Sequence, residues 1–304
     1  MTTPPRPWAP AALLLLLGFV WGSSFILMKV GLFARDGSPL FAPVDLATLR
    51  IFIAGAVLLP ISLKHLHKVT RQDWGPLLVV GSVGSLIPAI LFATAQKSIP
   101  SALAGMLNAL SPLWTLLIAV VVFKVKVERR QVGGLIIGFV GALVLVASEG
   151  LGAAQFSWSS ALPAMLLIVA TLGYGVSVNT VRERLGGLRS YVISALSLGI
   201  VAVPAGIWVV AGSDVPRLVM EHQDGLRGLA AIVALAAVGT AGALVLFNQL
   251  IQWTNALVAA SVTYIIPVFA TLWGVWDGEE IGLGQITAGI IILTGVYVTN
   301  RKKR

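Results

Sequence analysis

The sequence predicts an all-α integral membrane protein: ten transmembrane helices in two inverted five-helix repeats. Three observations predict it. First, 57% of the 304 residues are hydrophobic and 11% are charged, with a mean hydropathy of +0.93. Soluble domains carry roughly 25% charged residues, so this much apolar surface needs lipid as its solvent. Second, ten apolar stretches approach the ~20 residues that a span requires. They lie at 11–33, 44–63, 76–96, 101–123, 131–148, 159–181, 190–211, 228–252, 256–276 and 283–300. Third, the second five stretches replay the first five. Phe92 and Phe247 stand 155 residues apart, as do Pro112 and Pro267. At an offset of 154, Gln131, Ile136, Ile137, Gly141 and Val144 meet Gln285, Ile290, Ile291, Gly295 and Val298. At 153, Trp21-Gly22-Ser23-Ser24 lies beside Tyr174-Gly175-Val176-Ser177. An odd number of spans per half turns the halves upside down to one another, the plan of alternating-access carriers. The domain division is therefore a first repeat at 11–148, a linker at 149–158, a second repeat at 159–300 and a basic tail at 301–304.

Span one is too long for a signal-peptide core, and Leu32-Phe33-Ala34-Arg35 offers no small-x-small cleavage site, so it reads as a retained helix. Trp21, Ser24 and Met28 share one of its faces. Lys29 lies about one turn from its outer end. Arg50 lies roughly 9 Å into span two at about 1.5 Å per residue. Either cation snorkels to the headgroups, or it draws a solute carboxylate toward the mouth or pairs with Glu279 or Glu280. Gly81 and Gly84 mark close packing in span three, which ends with Gln96. In span four Asn108, Ser111 and Thr115 follow i, i+3, i+7 on one face around Pro112. Gly134, Gly138 and Gly141 give span five a small-residue face, for packing within the chain or a dimer. Span six carries Tyr174, Ser177 and Asn179; span eight carries Asn248, Gln249 and Gln252. Pro112 and Pro267 sit inside spans four and nine, where a missing N–H frees carbonyls. Matched intramembrane prolines mark cavity-lining, hinge-like helices. Thr263 stands opposite Asn108 in the repeat, with Tyr264 beside it. Trp74 and Trp158 fall at span ends, where indoles anchor in the headgroup zone.

The net charge of +9 does not signal nucleic acid. With a cytoplasmic N-terminus, 15 of the 21 cations fall on inner segments and four on outer ones, Arg35, Lys97, Arg217 and Arg227. That split follows the positive-inside rule and places both termini in the cytoplasm. The absence of cysteine excludes disulfides, thiol catalysis and thiolate metal sites.

Several elements now form a recognisable set. Trp21-Gly22-Ser23-Ser24-Phe25, Arg50 within Ala47-Thr48-Leu49-Arg50-Ile51, Leu110-Ser111-Pro112, and Gln131-x-x-Gly134 with Gly141 resemble an EamA domain. That is the ten-helix branch of the drug/metabolite transporter superfamily. Ile266-Pro267-Val268, Gly278-Glu279-Glu280 and Gln285-x-x-x-Gly289 extend the resemblance to a second repeat. The resemblance implies an inner-membrane exporter or permease of small metabolites, often amino acids or related compounds. It implies a central cavity lined mainly by spans three, four, eight and nine, with one and six contributing. The family's Glu after span four is replaced by Lys126 here and kept by Glu280.

No mid-membrane carboxylate is present, since Asp and Glu fall in loops or at span ends, with His65, His67 and His222 in loops too. Ion-coupled carriers place ionisable groups in the bilayer, so a facilitator driven by the solute gradient is favoured over end-of-helix coupling. No nucleophile–base pair, metal-ligand spacing or nucleotide-binding sequence appears; the expectation is no enzyme and no cofactor. The candidate solute site is Trp21, Ser24, Arg50, Asn108, Ser111, Tyr174, Asn248, Gln249, Thr263 and Tyr264, with Pro112 and Pro267 as hinges. Amides, hydroxyls and aromatic faces suit a small zwitterion or planar neutral solute. The partners expected are that solute, the lipid bilayer, and at most a second copy of the chain. A membrane scaffold or flippase-like protein is the alternative, distinguished by whether the polar faces of spans four and nine converge on a cavity.

Overall fold

The computed structural model describes residues 6–98, 104, 107–148, 158–276 and 283–300. Helices dominate them: α1 (Ala9–Leu32), α2 (Pro43–His65), α3 (Trp74–Ala95), α4 (Ser111–Val121) and α5 (Arg129–Ser148). The second half gives α6 (Trp158–Arg184), α7 (Ser190–Ala211), α8 (Gly225–Trp253), α9 (Val262–Trp276) and α10 (Leu283–Asn300). Six of them, α1, α2, α3, α6, α7 and α8, are long and apolar enough to cross a membrane. Among the described residues there is no strand, and Phe33 and Pro39 make one isolated bridge. Proline in the first turn starts α1 and α2, where its missing N–H costs nothing. Lys29, Lys64, Arg182 and Arg184 fall in last turns, where cations complement the exposed carbonyls.

Four sequence expectations change. Span four is broken: Leu107 and Asn108 are helical, Ala109 and Leu110 form a turn, and α4 starts at Ser111 with Pro112 in its first turn. Pro112 therefore starts a helix instead of interrupting one, whereas Pro267 lies inside α9. Span nine is also broken, into a short helix Ala256–Ala260 and α9, with a turn at Ser261. The loop expected at 212–227 contains a helix, Val215–Glu221, started by a proline. His65 is the last residue of α2, with Nδ1 3.0 Å from the Ile61 carbonyl. Residues 149–157 of the linker, Glu279, Glu280 and the basic tail lie outside the described residues, and Trp158 begins α6.

The small face of α5 is used within the chain. A Cβ on Gly138 would lie 2.6 Å from the Tyr264 ring, and one on Gly141 2.8 Å from Ile292. Gly295 of α10 abuts Gly138 and the Gly134 carbonyl. Such contacts let two backbones close where lipid gives no hydrophobic drive. Both α3 and α8 widen to a π-turn, at Ser82–Leu86 and Ala237–Gly242. The packing obeys an exchange rule. α1 packs on α9 as α6 packs on α4; α3 packs on α6 as α8 packs on α1; α2 pairs with α7 and α5 with α10.

Candidate functional site

A cavity of about 150 Å³ lies between the two halves, lined by residues of α1, α2, α3, α4, α6, α8 and α9 and by Asn108 and Ala260 just ahead of α4 and α9. The two π-turns build its middle. In a π-turn one residue is added to the helix and a carbonyl escapes its usual donor, which is why such turns gather at working sites. Trp21 Nε1 donates to the Gly239 carbonyl at 3.0 Å. The Thr240 hydroxyl donates to the Leu235 carbonyl five residues back, at 3.0 Å. The same hydroxyl accepts from Arg50 Nε at 2.6 Å. Glycine at the centre of each turn admits a serine from the facing helix. Gly84 touches Ser177, and a Cβ on Gly239 would lie 3.0 Å from Ser24 Oγ.

The proline-started α4 supplies the next wall. Pro112 has no N–H for the Asn108 carbonyl, and the Ser111 hydroxyl fills the gap at 2.7 Å. It also lies 3.3 Å from Asn108 Oδ1. Thr115 donates to the Ser111 carbonyl at 2.8 Å. Across the cavity Thr263 donates to the Ala260 carbonyl at 3.0 Å. Asn248 Nδ2 donates to Ser194 Oγ at 2.8 Å. Aromatic rings fill the remaining surface. Phe92 stacks on Tyr174 with centroids 6.0 Å apart, and Trp21 meets Phe247 edge-on at 5.1 Å. Arg50 is the cavity's one charged residue among those described: no Asp, Glu or His lines it, and Arg50 makes no ion pair with a described carboxylate.

Of the ten residues expected at the site, Trp21, Ser24, Arg50, Asn108, Ser111, Tyr174, Asn248 and Thr263 line this cavity. Gln249 and Tyr264 do not. Gln249 Oε1 accepts from Ser190 at 2.8 Å. Tyr264 is fully buried behind α9 and donates its hydroxyl to the Leu135 carbonyl at 3.0 Å. Lining residues not anticipated include Ser85, Thr240, Phe92 and Phe247. A signal for them was present, because Phe92 matches Phe247 and Ser85 matches Thr240 at the offset of 155 that relates the prolines. α2 also reaches the cavity through Arg50 and Ile51, in addition to the six spans that the family resemblance implied.

The EamA-like transporter family matches residues 8–147 and again residues 161–301. The chain belongs to the EamA-like transporter family. Its two EamA units each supply half of the cavity wall, and together they cover most of the sequence. Among relatives, the uncharacterized inner membrane transporter YedA of Escherichia coli K12 is 26% identical over 291 residues, covering 93% of this chain and 88% of that protein. An S-adenosylmethionine/S-adenosylhomocysteine transporter of Chlamydia muridarum is 28% identical over 300 residues, covering 92% and 88%. A probable amino-acid metabolite efflux pump of Salmonella typhimurium is 27% identical over 164 residues, 48% of this chain and 50% of that protein. A crystal structure covering 97% of this chain and 96% of its own superposes with a TM-score of 0.71 at 18% identity, a likeness of fold alone. The family and these relatives are transporters rather than enzymes, and this EamA chain is a multi-pass membrane protein.

Proposed function

We propose that the chain is an inner-membrane carrier for small polar metabolites, amino acids or related compounds, working by alternating access as a gradient-driven facilitator. One observation carries the reading: polar groups of both EamA units meet in a single cavity that also holds an arginine and aromatic walls. Carriers of inverted-repeat design hold their solute at the repeat interface, near broken helices. The breaks before α4 and α9 and the matched π-turns fit that plan. Ten spans in two inverted units are supported by the exchange rule in the packing and by odd-numbered repeats. The basic inner segments support cytoplasmic termini. Amino-acid chemistry is supported by the names of two relatives, the S-adenosylmethionine/S-adenosylhomocysteine transporter and the amino-acid metabolite efflux pump. The lack of an acid among the described lining residues supports a facilitator.

The test is metabolite profiling of the medium from cells with and without the chain. Amino acids or their derivatives accumulate outside only when the chain is present. Identical media would sink the carrier reading in favour of a scaffold. In proteoliposomes, transport that follows an imposed pH gradient at a fixed solute gradient would overturn the facilitator.

A further inference from the structure

We infer that the solute must carry a carboxylate and need not carry an amino group; this rests on the carrier reading and narrows it. Arg50 spends Nε on Thr240. Arg50 lines the cavity, and among the described residues no carboxylate in the wall balances its charge. A guanidinium is always charged and matches a carboxylate bidentately. While the cavity is open to water, the charge is solvated. Once the cavity closes, an unpaired cation in low dielectric is costly, and a solute carboxylate removes that cost. The amino end has no such partner. An ammonium would meet only neutral amide and hydroxyl groups and aromatic rings, with no anion among the described lining residues, while Arg50 repels it. The rings provide for an apolar body. The site therefore takes amino acids and amino-group-free acids alike, and excludes amines.

The experiment uses proteoliposomes and a defined mixture of amino acids, their decarboxylated amines and their deaminated 2-hydroxy acids, with uptake read by mass spectrometry. Amino acids and hydroxy acids enter at least tenfold faster than the matched amines, and Arg50→Gln removes that preference while Arg50→Lys keeps part of it. Amines entering as fast as the acids would overturn the inference while leaving a carrier. Entry of nothing in the mixture would strike at the amino-acid reading itself.

A separate observation assigns a gate. Arg182, in the last turn of α6, donates to the Ile251 carbonyl at 3.2 Å and the Gln252 carbonyl at 3.5 Å. Those carbonyls end α8 and have no helical donor. Gln252 Nε2 adds a bond to the Leu188 carbonyl at 2.7 Å. Around them one apolar cluster joins α1, α3, α6, α7, α8 and α9, including Leu14, Leu77, Val181, Leu250 and Ile265. These contacts tie the ends of α6 and α8 and the turn before α7 together. The repeat sets Lys29 of α1 opposite Arg182, and Gln96 and Lys97 at the end of α3 opposite Ile251 and Gln252. Lys29 is exposed; its carbonyl accepts from the Phe33 N–H, and its side chain makes no hydrogen bond or ion pair among the described residues. We propose that Arg182 and Lys29 are alternating latches: when Arg182 leaves the end of α8, Lys29 docks on the end of α3 and closes the opposite mouth.

The chain has no cysteine, so spin labels can be placed cleanly at Ile26→Cys on α1 and Thr94→Cys on α3, both exposed. Arg182→Gln shifts the label distances toward a shorter, closed population, and Lys29→Gln shifts them away from it. Unchanged distances in Arg182→Gln, or shortening in Lys29→Gln, would overturn the latch. Transport measured on the same variants keeps that failure apart from failure of the carrier reading.

Discussion

The two EamA units share their scaffold and differ in their walls. Both widen a helix to a π-turn around a central glycine, Gly84 in one and Gly239 in the other. Both set a serine against that glycine, Ser177 and Ser24. Beyond the scaffold, the units part. Ser85 and Thr240 match in the repeat, and Thr240 holds Arg50. Ser111 and Ile266 match, and Ser111 caps a carbonyl freed by proline where Ile266 has no hydroxyl to do so. On a shared scaffold the side chains of the two units differ, so the cavity has two unlike walls.

The largest contrast concerns the glycines. A Cβ on Gly84 would overlap Ser177 Oγ and Cβ, while one on Gly239 meets Ser24 Oγ at 3.0 Å and Leu235 at 3.1 Å. Overpacking a tight contact costs about 1–3 kcal/mol. Gly84→Ala therefore lowers the thermal midpoint in detergent by more than Gly239→Ala, which the facing side chains absorb by small shifts. Equal midpoints would show that the two π-turns are packed alike after all.

Next come the prolines. Ser111→Ala leaves the Asn108 carbonyl without a donor at the cavity wall, a loss of about 1–3 kcal/mol for a buried group. Transport falls several-fold, while Ile266→Ala, which removes only apolar contact, falls less. The reverse order would place the working break in α9 and make Pro267 the more important hinge. Ser85 and Thr240 differ less. Thr240→Val removes the acceptor that aims Arg50, so KM rises a few-fold with the maximal rate kept, whereas Ser85→Ala leaves both unchanged. An equal effect of the two would mean that Arg50 is positioned by something other than the Thr240 hydroxyl.

Much of this was legible in the sequence, for physical reasons. The span at 190–211 coincides with α7, because an apolar run bounded by polar residues leaves little freedom in where a span ends. The breaks before α4 and α9 were less legible. Proline announced a disturbance, but whether it starts a helix or bends one depends on the preceding residues finding other partners. Eight of the ten candidates, chosen for polar or aromatic chemistry inside apolar runs, line the cavity. Thr240 was missed because a threonine in an apolar helix normally bonds its own backbone, as Thr48 and Thr180 do here. Only a π-turn beside Arg50 gives Thr240 a second task.

Gln249 and Tyr264 are the two candidates that lie off the cavity, and Tyr264 gives the smallest predicted effect. Each directly follows a lining residue, Asn248 or Thr263. Successive residues in a helix point about 100° apart, so the neighbour of a cavity residue faces the packing instead. Tyr264 duly sits against Gly138, with its hydroxyl on the Leu135 carbonyl. Tyr264→Phe keeps the ring and removes one hydrogen bond, worth about 0.5–1.5 kcal/mol. The thermal midpoint falls by a few degrees, and solute affinity and charge preference stay as in the parent. Altered affinity with an unchanged midpoint would return Tyr264 to the solute site and mean that α9 rotates during transport.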